Sequence, residues 1–514
     1  MNFFSKRNFI PEILIILFPV ALVSGPLIPE IFMLIINIFF LYFLIRNKNF
    51  GILNNKLLIM LFFFTIYILI LSYLSKYSDE IFFRNIFYFR FIIFVTAIYY
   101  FIRENVKLMK LIFLSIMMCF TVLAIDGSYQ FYFNENILGF KKIRADRISS
   151  FFEDKLVLGS YISRYFFIFI GLYFYLEKNL SKTLKIFSVA IIFLSFLIIV
   201  LSGERAALFL TIIGLLALYI LINISYKKKL LILLVSSILI VPTLVFNNTL
   251  NDRYIKQTLS QVLLTEKNQE NFFERFVYYS SSWQTAYKAF LDNKFFGQGP
   301  KSFKYFCSDP EFVTYNKRGN PFFNNYQFLN IHKKFLNVQI VEISKKVGDE
   351  INHGDLILKF KHRKKIYNFY ADRIGKIKTV NVSEGQSVST GLNLFTLDLS
   401  QTGLPDTKLV YKNGCTTHPH QLYLQLLSET GFVGALTILS LFLTITYIFV
   451  KHLIERIFFK SEYLQNSQIS ILISFFLLLF PFTTFGSFFN NWFVMSFSMQ
   501  VGILFYFLKI KKNK

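Results

Sequence analysis

A polar segment that contains two of the six histidines runs directly into an apolar stretch of the chain. It reads Cys415-Thr-Thr-His-Pro-His-Gln-Leu-Tyr-Leu-Gln-Leu-Leu-Ser-Glu-Thr-Gly431, and the stretch that follows is long enough to cross a membrane. Polar groups at membrane depth are costly unless they face a cavity or a substrate. We therefore predict an active site at a membrane surface. Its candidate residues in this segment are His418, His420, Gln421, Tyr423 and Glu429.

The pair His418-Pro-His420 suits acid–base chemistry better than metal binding. A metal ion needs at least a third ligand, and no further His, Cys or carboxylate stands at a recognisable spacing, so we predict no metal site. A histidine titrates near neutral pH and serves as a general base or hydrogen-bond donor. One alternative stays open, in which both histidines are polar loop residues that cap the helix beginning near Leu422.

Three arginines suit the binding of a phosphate group. Arg147 precedes a predicted span, Arg205 ends a tight connection between two spans, and Arg275 lies in the large loop. A planar guanidinium matches two phosphate oxygens. The alternatives are an interfacial arginine whose head reaches water for Arg205, and an exposed helix residue for Arg275. If these groups and the histidine pair act together, they converge at the external membrane surface.

The composition excludes a soluble globular protein. Hydrophobic residues make up 54% of the chain, and 67 of the 514 residues are Phe. Because one soluble core cannot hide so much apolar surface, we predict a mainly α, polytopic membrane protein with about 12 transmembrane helices. No cleavable signal peptide is evident. The predicted spans are 10–24, 26–45, 56–74, 87–103, 108–125, 157–176, 185–201, 206–224, 229–246, 425–450, 468–485 and 489–508.

The net charge of +25 follows the positive-inside rule, so no nucleic-acid partner is expected. Clusters of Lys and Arg alternate with the predicted span ends, from Lys6-Arg7 to Lys509–Lys514. A cytoplasmic N-terminus then places every such cluster in the cytoplasm, together with the C-terminus. The large loop between the ninth and tenth spans falls outside.

The large loop changes character along its length. Residues 330–400 are rich in Val, Ile, Lys and Gly and carry two similar phrases, Ile340–Leu356 and Ile377–Leu394. Each phrase reads as a strand, a turn with Gly, a short strand and another Gly, which indicates an internal repeat of β-hairpin halves. The predicted domains are 1–246 with helices 1–9, a largely helical external loop 247–329, the all-β insert 330–400, a return loop 401–424 with the His-Pro-His motif, and 425–514 with helices 10–12.

The insert resembles the lipoyl/biotinyl-type barrel-sandwich hybrid. By that resemblance Lys364 stands where carrier proteins hold their cofactor. Its surroundings, His362-Arg363-Lys364-Lys365, lack the sequence of true carriers, and an external position is away from the enzymes that attach the cofactor. We therefore predict no cofactor, and a structural role or partner docking for the insert.

The cysteines leave two alternatives. Cys119 lies in a predicted span and reads as a small apolar residue. Cys307 and Cys415 both fall in the external loop, where oxidation is possible. They form either a disulfide that ties the ends of the intervening segment or two free thiols.

The chain outside the insert resembles the O-antigen ligase and polymerase superfamily of bacterial membrane glycosyltransferases. The matching phrases are Arg147-Ile-Ser-Ser-Phe-Phe-Glu-Asp, Leu201-Ser-Gly-Glu-Arg-Ala-Ala, the segment from Glu274-Arg275 to Phe303 and, most characteristic, Thr417–Gly431. Gln421 departs from the family, which usually has Asn after the histidine. The motifs do not separate ligase from polymerase.

The resemblance implies the transfer of a glycan from undecaprenyl pyrophosphate to an acceptor hydroxyl at the periplasmic face of the bacterial inner membrane. The transfer is expected to be metal-independent and inverting. His420 is then the candidate base, with Glu429 as an alternative base or as its orienter. Arg147 and Arg205, with Arg275 in reserve, are expected to stabilise the leaving pyrophosphate. The acceptor is a glycan, the lipid A core or a protein.

Two other classes of function stay open. A polysaccharide or lipid transporter is also polytopic, but it carries charged residues within its spans or paired repeats. Here the predicted charges lie at one face of the membrane. An adaptor, by contrast, docks a partner through the β insert and uses the membrane part only as an anchor.

Overall fold

The computed structural model describes residues 9–256, 258, 279–309, 311–319, 326–329, 338–352, 354–362, 365–371, 374–388, 394–398, 409–413, 415–484 and 486–509. The chain divides into two compact units. Unit 1 is made of Met1–Leu69, Asn85–Ser260 and Leu436–Lys514, and unit 2 of Ile70–Arg84 and Gln261–Ala435.

Helices dominate the described part of the chain because long apolar runs are separated by short polar connections. In chain order the helices are α1 Phe9–Ala21, α2 Leu27–Arg46, α3 Lys56–Leu74, α4 Ser78–Asn85, α5 Phe89–Glu104, α6 Lys107–Phe133, α7 Leu158–Leu176, α8 Lys182–Leu201, α9 Arg205–Leu221, α10 Tyr226–Phe246, α11 Asn248–Asn251, α12 Ser280–Asp292, α13 Phe303–Phe306, α14 Leu422–Phe458, α15 Asn466–Leu478 and α16 Asn491–Lys509.

The described helices make this a multi-pass membrane protein. Seven segments are long and apolar enough to cross a membrane, namely Leu27–Arg46, Lys56–Leu74, Ser78–Glu104, Lys107–Phe133, Lys182–Leu201, Leu422–Phe458 and Asn491–Lys509. The other predicted spans also fall on helices, but these are shorter or, like α7 with Arg164, less apolar. The count of about 12 spans therefore stays a prediction.

The helices of unit 1 pack closely where small residues allow it. α15 packs against α7 and α9, and α16 packs against α5. At Gly171 of α7, an added Cβ atom would lie 2.6 Å from the Ile471 side chain of α15 and 3.0 Å from the Ser467 carbonyl oxygen. Small residues at a helix interface let two backbones approach in this way.

Unit 2 has a small helical core beside the β insert. Helix α12 and the short α13 pack with the segment that follows α3, around Tyr77, Ile81 and Phe306. Cys307 and Cys415 lie within this core, where they form a disulfide with a Cα–Cα distance of 5.0 Å. The Tyr77 hydroxyl donates a hydrogen bond to Asp309.

The insert forms two four-stranded antiparallel sheets, preceded and followed by a two-stranded ribbon. The strands are β1 Tyr315–Gly319, β2 Tyr326–Leu329, β3 Val338–Ile343, β4 Glu350–Ile351, β5 Leu356–His362, β6 Lys365–Tyr370, β7 Gly375–Val380, β8 Ser387–Val388, β9 Phe395–Asp398 and β10 Leu409–Asn413. The sheets have the orders β2-β9-β7-β4 and β6-β5-β3-β8, and the ribbon pairs β1 with β10. Because β2 joins the first sheet, the β structure begins ahead of the predicted boundary at 330.

The internal repeat of the insert is visible in its backbone hydrogen bonds. Gly348 N–H donates to the carbonyl oxygen of Ile377, and Gly385 N–H donates to that of Ile340, each at 2.8 Å. In both cases the turn of one half contacts the long strand of the other. The core between the sheets is made of Val338, Ile340, Ile351, Ile357, Leu358, Phe360, Tyr367, Ala371, Ile377, Val382, Val388, Leu394, Phe395 and Leu397. Lys364 lies outside the described residues.

Candidate functional site

Unit 1 carries a group of charges on the loop before α7, at the start of α9 and just after α11. We call it the arginine cluster. Arg144 pairs with Asp146 at 2.9 Å, and Arg253 lies 3.5 Å from the same carboxylate. Its members are Arg144, Asp146, Arg147, Glu204, Arg205 and Arg253, so guanidinium groups outnumber carboxylates within it.

Two buried polar side chains of α6 hold the loop that carries Arg147. Gln130 Oε1 accepts hydrogen bonds from the backbone N–H of Ser149 (2.8 Å) and of Ser150 (2.7 Å). Asp126 accepts a hydrogen bond from the Ser150 hydroxyl. Because a buried backbone donor needs a partner, these bonds fix the path of the loop just beyond Arg147.

The loop approaches the turn between α8 and α9 at a glycine. Gly203 has φ +67, and a Cβ atom added there would lie 2.1 Å from the Asp146 carbonyl oxygen and 2.9 Å from Arg147 Cγ. Glycine is the residue that combines a positive φ with no side chain. Gly203 therefore allows the two loops of the arginine cluster to touch.

Glu204 is a buried carboxylate that anchors the start of α7. It accepts hydrogen bonds from Gly159 N–H (2.7 Å), from Ser160 N–H (3.2 Å) and from the Ser160 hydroxyl (2.5 Å). Burial raises the pKa of Glu204 above its ordinary value, although the Ser160 hydroxyl and the charge of Arg147 oppose that shift. A carboxylate near a helix N-terminus stabilises the helix dipole.

Arg147 is only partly satisfied by its hydrogen-bond partners in the arginine cluster. Its Nη2 atom donates to the Leu156 carbonyl oxygen (2.7 Å) and lies 4.0 Å from the Glu204 carboxylate. Its Nε atom is buried and has no hydrogen-bond partner among the described residues. Burial also lowers the pKa of Arg147, because the charged form loses water. An anion bound here would supply the acceptor that Nε lacks.

Of the other two predicted arginines, the structure describes only Arg205. Arg205 begins α9 directly after Glu204, and its Nη1 lies 3.5 Å from the Thr258 hydroxyl, at the outer limit of a hydrogen bond. Arg275 lies outside the described residues. The proposed phosphate-binding role of both arginines remains a prediction.

Sequence reasoning missed Arg253. Its Nε donates to the Gly203 carbonyl oxygen at 3.2 Å, and the next residue, Tyr254, donates its hydroxyl hydrogen to the Val200 carbonyl oxygen at 2.8 Å. The two bonds tie the segment after α11 to the end of α8 and to the turn that follows it. The only sequence signal was a single cation soon after a predicted span, which does not by itself indicate a site.

Unit 2 carries the predicted histidines on residues 415–421, which we call the histidine loop. His420 adopts φ 58, in the left-handed region that non-glycine residues seldom occupy. Its ring lies 4.1 Å from that of His418 and 5.0 Å from that of Tyr279, centroid to centroid. Burial lowers the pKa of His420 below its ordinary value of 6.5, so the ring is neutral and able to accept a proton at neutral pH.

Tyr279 extends this aromatic group and was also missed by sequence reasoning. Its ring stacks on that of Trp283 in α12 with centroids 6.2 Å apart, so it lies between Trp283 and His420. His418 Nδ1 lies 2.9 Å from the Thr417 hydroxyl. No sequence pattern joined Tyr279 to the histidine loop, because the two are separated by the whole β insert.

The supporting residues of the loop have distinct environments. Gln421 Oε1 accepts the backbone N–H of Leu424 at 2.6 Å, and its carbonyl oxygen accepts that of Gln425 at 3.0 Å. Gln421 thus caps the start of α14. This is the hydrogen bond that its side-chain amide makes although the related family usually has Asn at this position. Tyr423 lies in the first turn of α14 and is half-buried.

Glu429 is fully buried, and its carboxylate is occupied by hydrogen bonds. It accepts the backbone N–H of Phe303 (2.9 Å) and of Lys301 (3.1 Å), and the side-chain N–H of Gln425 (3.1 Å). Its own carbonyl oxygen accepts the N–H of Gly299 at 2.9 Å. These hydrogen bonds fix the start of α14 against residues 299–303.

A kink in α14 allows a second close approach near Glu429. Gly431 has φ 63 inside the helix, and a Cβ atom added there would lie 2.2 Å from the Phe295 carbonyl oxygen. The kink lets the segment after α12 lie against the start of α14. Within the described ranges, no group of three or more His, Cys, Asp or Glu side chains is placed to hold a metal ion.

Comparison with protein families addresses both parts of the chain. Residues 190–339 match the model of the O-antigen ligase family. This segment is similar to O-antigen ligases. Residues 334–397 match a second family, described as biotin-requiring enzyme, so a lipoyl-like segment follows the ligase-like one. The comparison with curated proteins gives no match.

The ligase match contains Arg205, Arg253 and Arg275 and ends where the insert begins. The family supports an activity of the O-antigen ligase or polymerase type, in a multi-pass membrane protein. The histidine loop lies beyond the matched residues, after the insert.

Proposed function

We propose that this protein transfers a glycan from undecaprenyl pyrophosphate to an acceptor hydroxyl at the outer face of a bacterial inner membrane. The O-antigen ligase match supports the class of reaction. The observation that carries the choice of donor is the arginine cluster, in which the buried Nε of Arg147 has no described partner. A phosphate oxygen is the ligand that such a donor prefers.

The arginines act on the leaving group. As the bond between the anomeric carbon and the pyrophosphate oxygen breaks, its electron pair leaves with the pyrophosphate. Fixed positive groups such as Arg147 and Arg205 stabilise the negative charge that develops there. This stabilisation comes from the chain's own cations, with Arg275 as a further candidate.

His420 acts on the acceptor. The acceptor oxygen attacks the anomeric carbon as His420 takes the hydroxyl proton, so one O–H bond and one C–O bond are exchanged for an N–H bond and a new C–O bond. Attack on the face opposite the leaving group inverts the anomeric configuration. Glu429 acts as a positioning residue in this scheme, because its hydrogen bonds fix the start of α14 against residues 299–303.

A glycan profile tests the proposal and separates ligase from polymerase. A strain without this gene is complemented with wild type, with His420→Ala or with Arg147→Gln, and its lipid-linked and surface glycans are compared. We expect both variants to behave as the null strain. Long polymer on the lipid carrier indicates a ligase, and single repeat units on the usual acceptor indicate a polymerase. Full rescue by His420→Ala would contradict its catalytic role.

A further inference from the structure

The histidine-bearing part of unit 2 is attached at both of its ends to one segment of the chain. This segment is residues 298–307, which we call the anchor segment. Cys415, the first residue of the histidine loop, forms the disulfide with Cys307 of the anchor segment. Beyond the loop, the Glu429 carboxylate accepts two backbone N–H groups of the same segment. In sequence, the two histidines thus lie between a covalent attachment and a hydrogen-bonded one.

The anchor segment is itself fixed by backbone hydrogen bonds and by burial. Gln298 N–H donates to the Ser428 carbonyl oxygen (2.8 Å), and Cys307 N–H donates to that of Phe303 (2.9 Å). Cys307 is fully buried and Cys415 is 6% exposed, and both belong to the helical core of unit 2. Because Cys415 is bonded to a residue that is held in this way, the start of the histidine loop has a fixed position.

The backbone of His420 is in a conformation that needs such support. Its φ of 58 lies in the left-handed region, where a non-glycine residue persists only if the surrounding structure determines its conformation. Within the loop, the Thr416 hydroxyl donates to the His418 carbonyl oxygen at 2.5 Å, and the Gln421 side chain caps α14. These bonds join the loop to itself and to α14. The disulfide joins its first residue, Cys415, to the anchor segment.

We propose that the Cys307–Cys415 disulfide positions the histidine loop for glycan transfer, and that full transfer activity requires the two thiols to be oxidised. The proposal rests on the proposed function, in which His420 takes the proton of the acceptor. Cys307 and Cys415 are positioning residues in this scheme, because they act through the backbone of the loop and not on the substrate.

The oxidation is a thiol–disulfide exchange with a protein that carries a reactive disulfide. One cysteine attacks that disulfide as its thiolate, and the second cysteine then displaces the oxidant from the mixed disulfide. One S–S bond forms in this chain, and the oxidant receives two electrons and two protons and leaves as a dithiol. Because the cytosol keeps thiols reduced and the predicted topology places both cysteines outside, the histidine loop is completed on the side where transfer is proposed to occur.

The first test compares variants of the full-length protein in nanodiscs with and without the bond. Cys307→Ala combined with Cys415→Ala, which we call the alanine pair, removes the bond and keeps the site apolar. Phe312→Leu is the matched control, because Phe312 is 3% exposed in the same core and its truncation destabilises that core with the bond intact. Transfer is measured well below the unfolding temperature of each protein.

We expect the kcat of the alanine pair to fall about tenfold or more, because a catalytic group that is slightly misplaced loses much of its effect. The KM of the lipid-linked donor is expected to stay unchanged, because the proposed donor-binding arginines are in unit 1. Phe312→Leu should keep the kcat of wild type. An unchanged kcat in the alanine pair, or an equal loss in Phe312→Leu, would overturn the proposal.

Hydrogen exchange gives a second readout that does not depend on activity. Backbone amides of residues 415–421 are expected to exchange about tenfold faster or more in the alanine pair than in wild type, because the loop opens locally without its covalent attachment. Amides of residues 425–431 serve as the internal reference, since Glu429 still holds that part of α14. Equal exchange of the loop in the alanine pair and wild type would contradict a positioning role.

A further experiment makes oxidation the variable. Wild type produced in cells that lack periplasmic dithiol-oxidising proteins is expected to keep all three cysteines as thiols and to transfer at the rate of the alanine pair. Oxidised glutathione should restore the rate in step with the loss of two thiols, and it should leave the alanine pair slow. Full transfer by the reduced protein would overturn the requirement for oxidation. If the reduced protein aggregates, the kcat and exchange of the alanine pair decide the question.

The outcomes separate this inference from the proposed function. If loop exchange depends on the bond but wild type itself transfers no glycan, the proposed function fails and the hold of the disulfide on the loop stands. If transfer requires His420 but neither kcat nor loop exchange depends on the bond, the positioning role fails and the proposed function stands.

Discussion

At the scale of single residues, His420 makes the most direct prediction. Burial lowers its pKa below 6.5, so the neutral, proton-accepting form persists to lower pH than for an ordinary histidine. If His420 is the base, the transfer rate is constant near neutral pH and falls only as the pH drops below 6.5. The measurement is a pH–rate profile of the purified protein. An acid limb with its midpoint at or above 6.5 would contradict the assignment.

Gly203 allows a test of the arginine cluster by geometry alone. Gly203→Ala forces a side chain into the space of the Asp146 carbonyl oxygen and strains a residue with φ +67. We expect loss of transfer activity and a destabilisation on the order of 1–3 kcal/mol, as for strained backbone positions. Gly51→Ala is the control, because nothing lies within 4 Å of its added Cβ atom. Equal activity of the two variants would show that the loops need not touch.

Some of the site could be read from residue types, and some could not. An arginine before one span and the histidines before another are local patterns, and the structure places Arg147 with Glu204 and His418 with His420. Arg253 and Tyr279 were missed because only the folded chain brings them to these loops.

At the scale of elements, Glu429 connects the start of α14 to residues 299–303 through hydrogen bonds. Glu429→Gln keeps the shape but offers an N–H group to backbone donors that need an acceptor. We therefore expect a loss of roughly 1–3 kcal/mol in stability and no shift in the acid limb of the pH–rate profile. Thermal unfolding and pH–rate measurements on one preparation distinguish positioning from base catalysis, since a base would alter the profile.

The Cys307–Cys415 bond ties the two chain segments that flank the insert. The bonded residues are 108 positions apart, and a closed loop of that size removes unfolded-state entropy worth about 4–5 kcal/mol. Cys307→Ser with Cys415→Ser is expected to lower the unfolding temperature and to make it insensitive to reductant. Cys119→Ala, which leaves the bond intact, should retain the reductant sensitivity of wild type. If the double variant unfolds as wild type does, the bond contributes little.

At the scale of the whole molecule, the ribbon shows how to remove the insert. Gly319 of β1 is paired with Leu409 of β10, so an Asn-Gly turn in place of residues 320–408 would close a two-residue hairpin. A transferase is expected to keep its transfer activity after this excision, whereas an adaptor loses its function. The readout is the glycan profile used above, with membrane insertion checked by expression. Loss of transfer in a well-folded variant would mean that the insert takes part in catalysis or acceptor binding.

Periodicity and composition predicted the helices well because apolar runs of that length have few other solutions in a membrane. The repeated Gly spacing predicted the insert because each glycine marks a turn between paired strands. The pairing register of the strands could not be predicted from the sequence. The strand β2 lies outside the predicted limits of the insert, and the sequence did not assign it there because its partner β9 is distant in the chain.

The reciprocal bonds of the insert have a consequence for how it arose and how it folds. Each sheet takes its short edge strand, β4 or β8, from the other half of the repeat. The halves are thus exchanged in the manner of a domain-swapped dimer whose two copies have been fused, as expected after duplication of an ancestral half. Neither half can complete a sheet by itself. We therefore expect the two halves to fold together in one cooperative step.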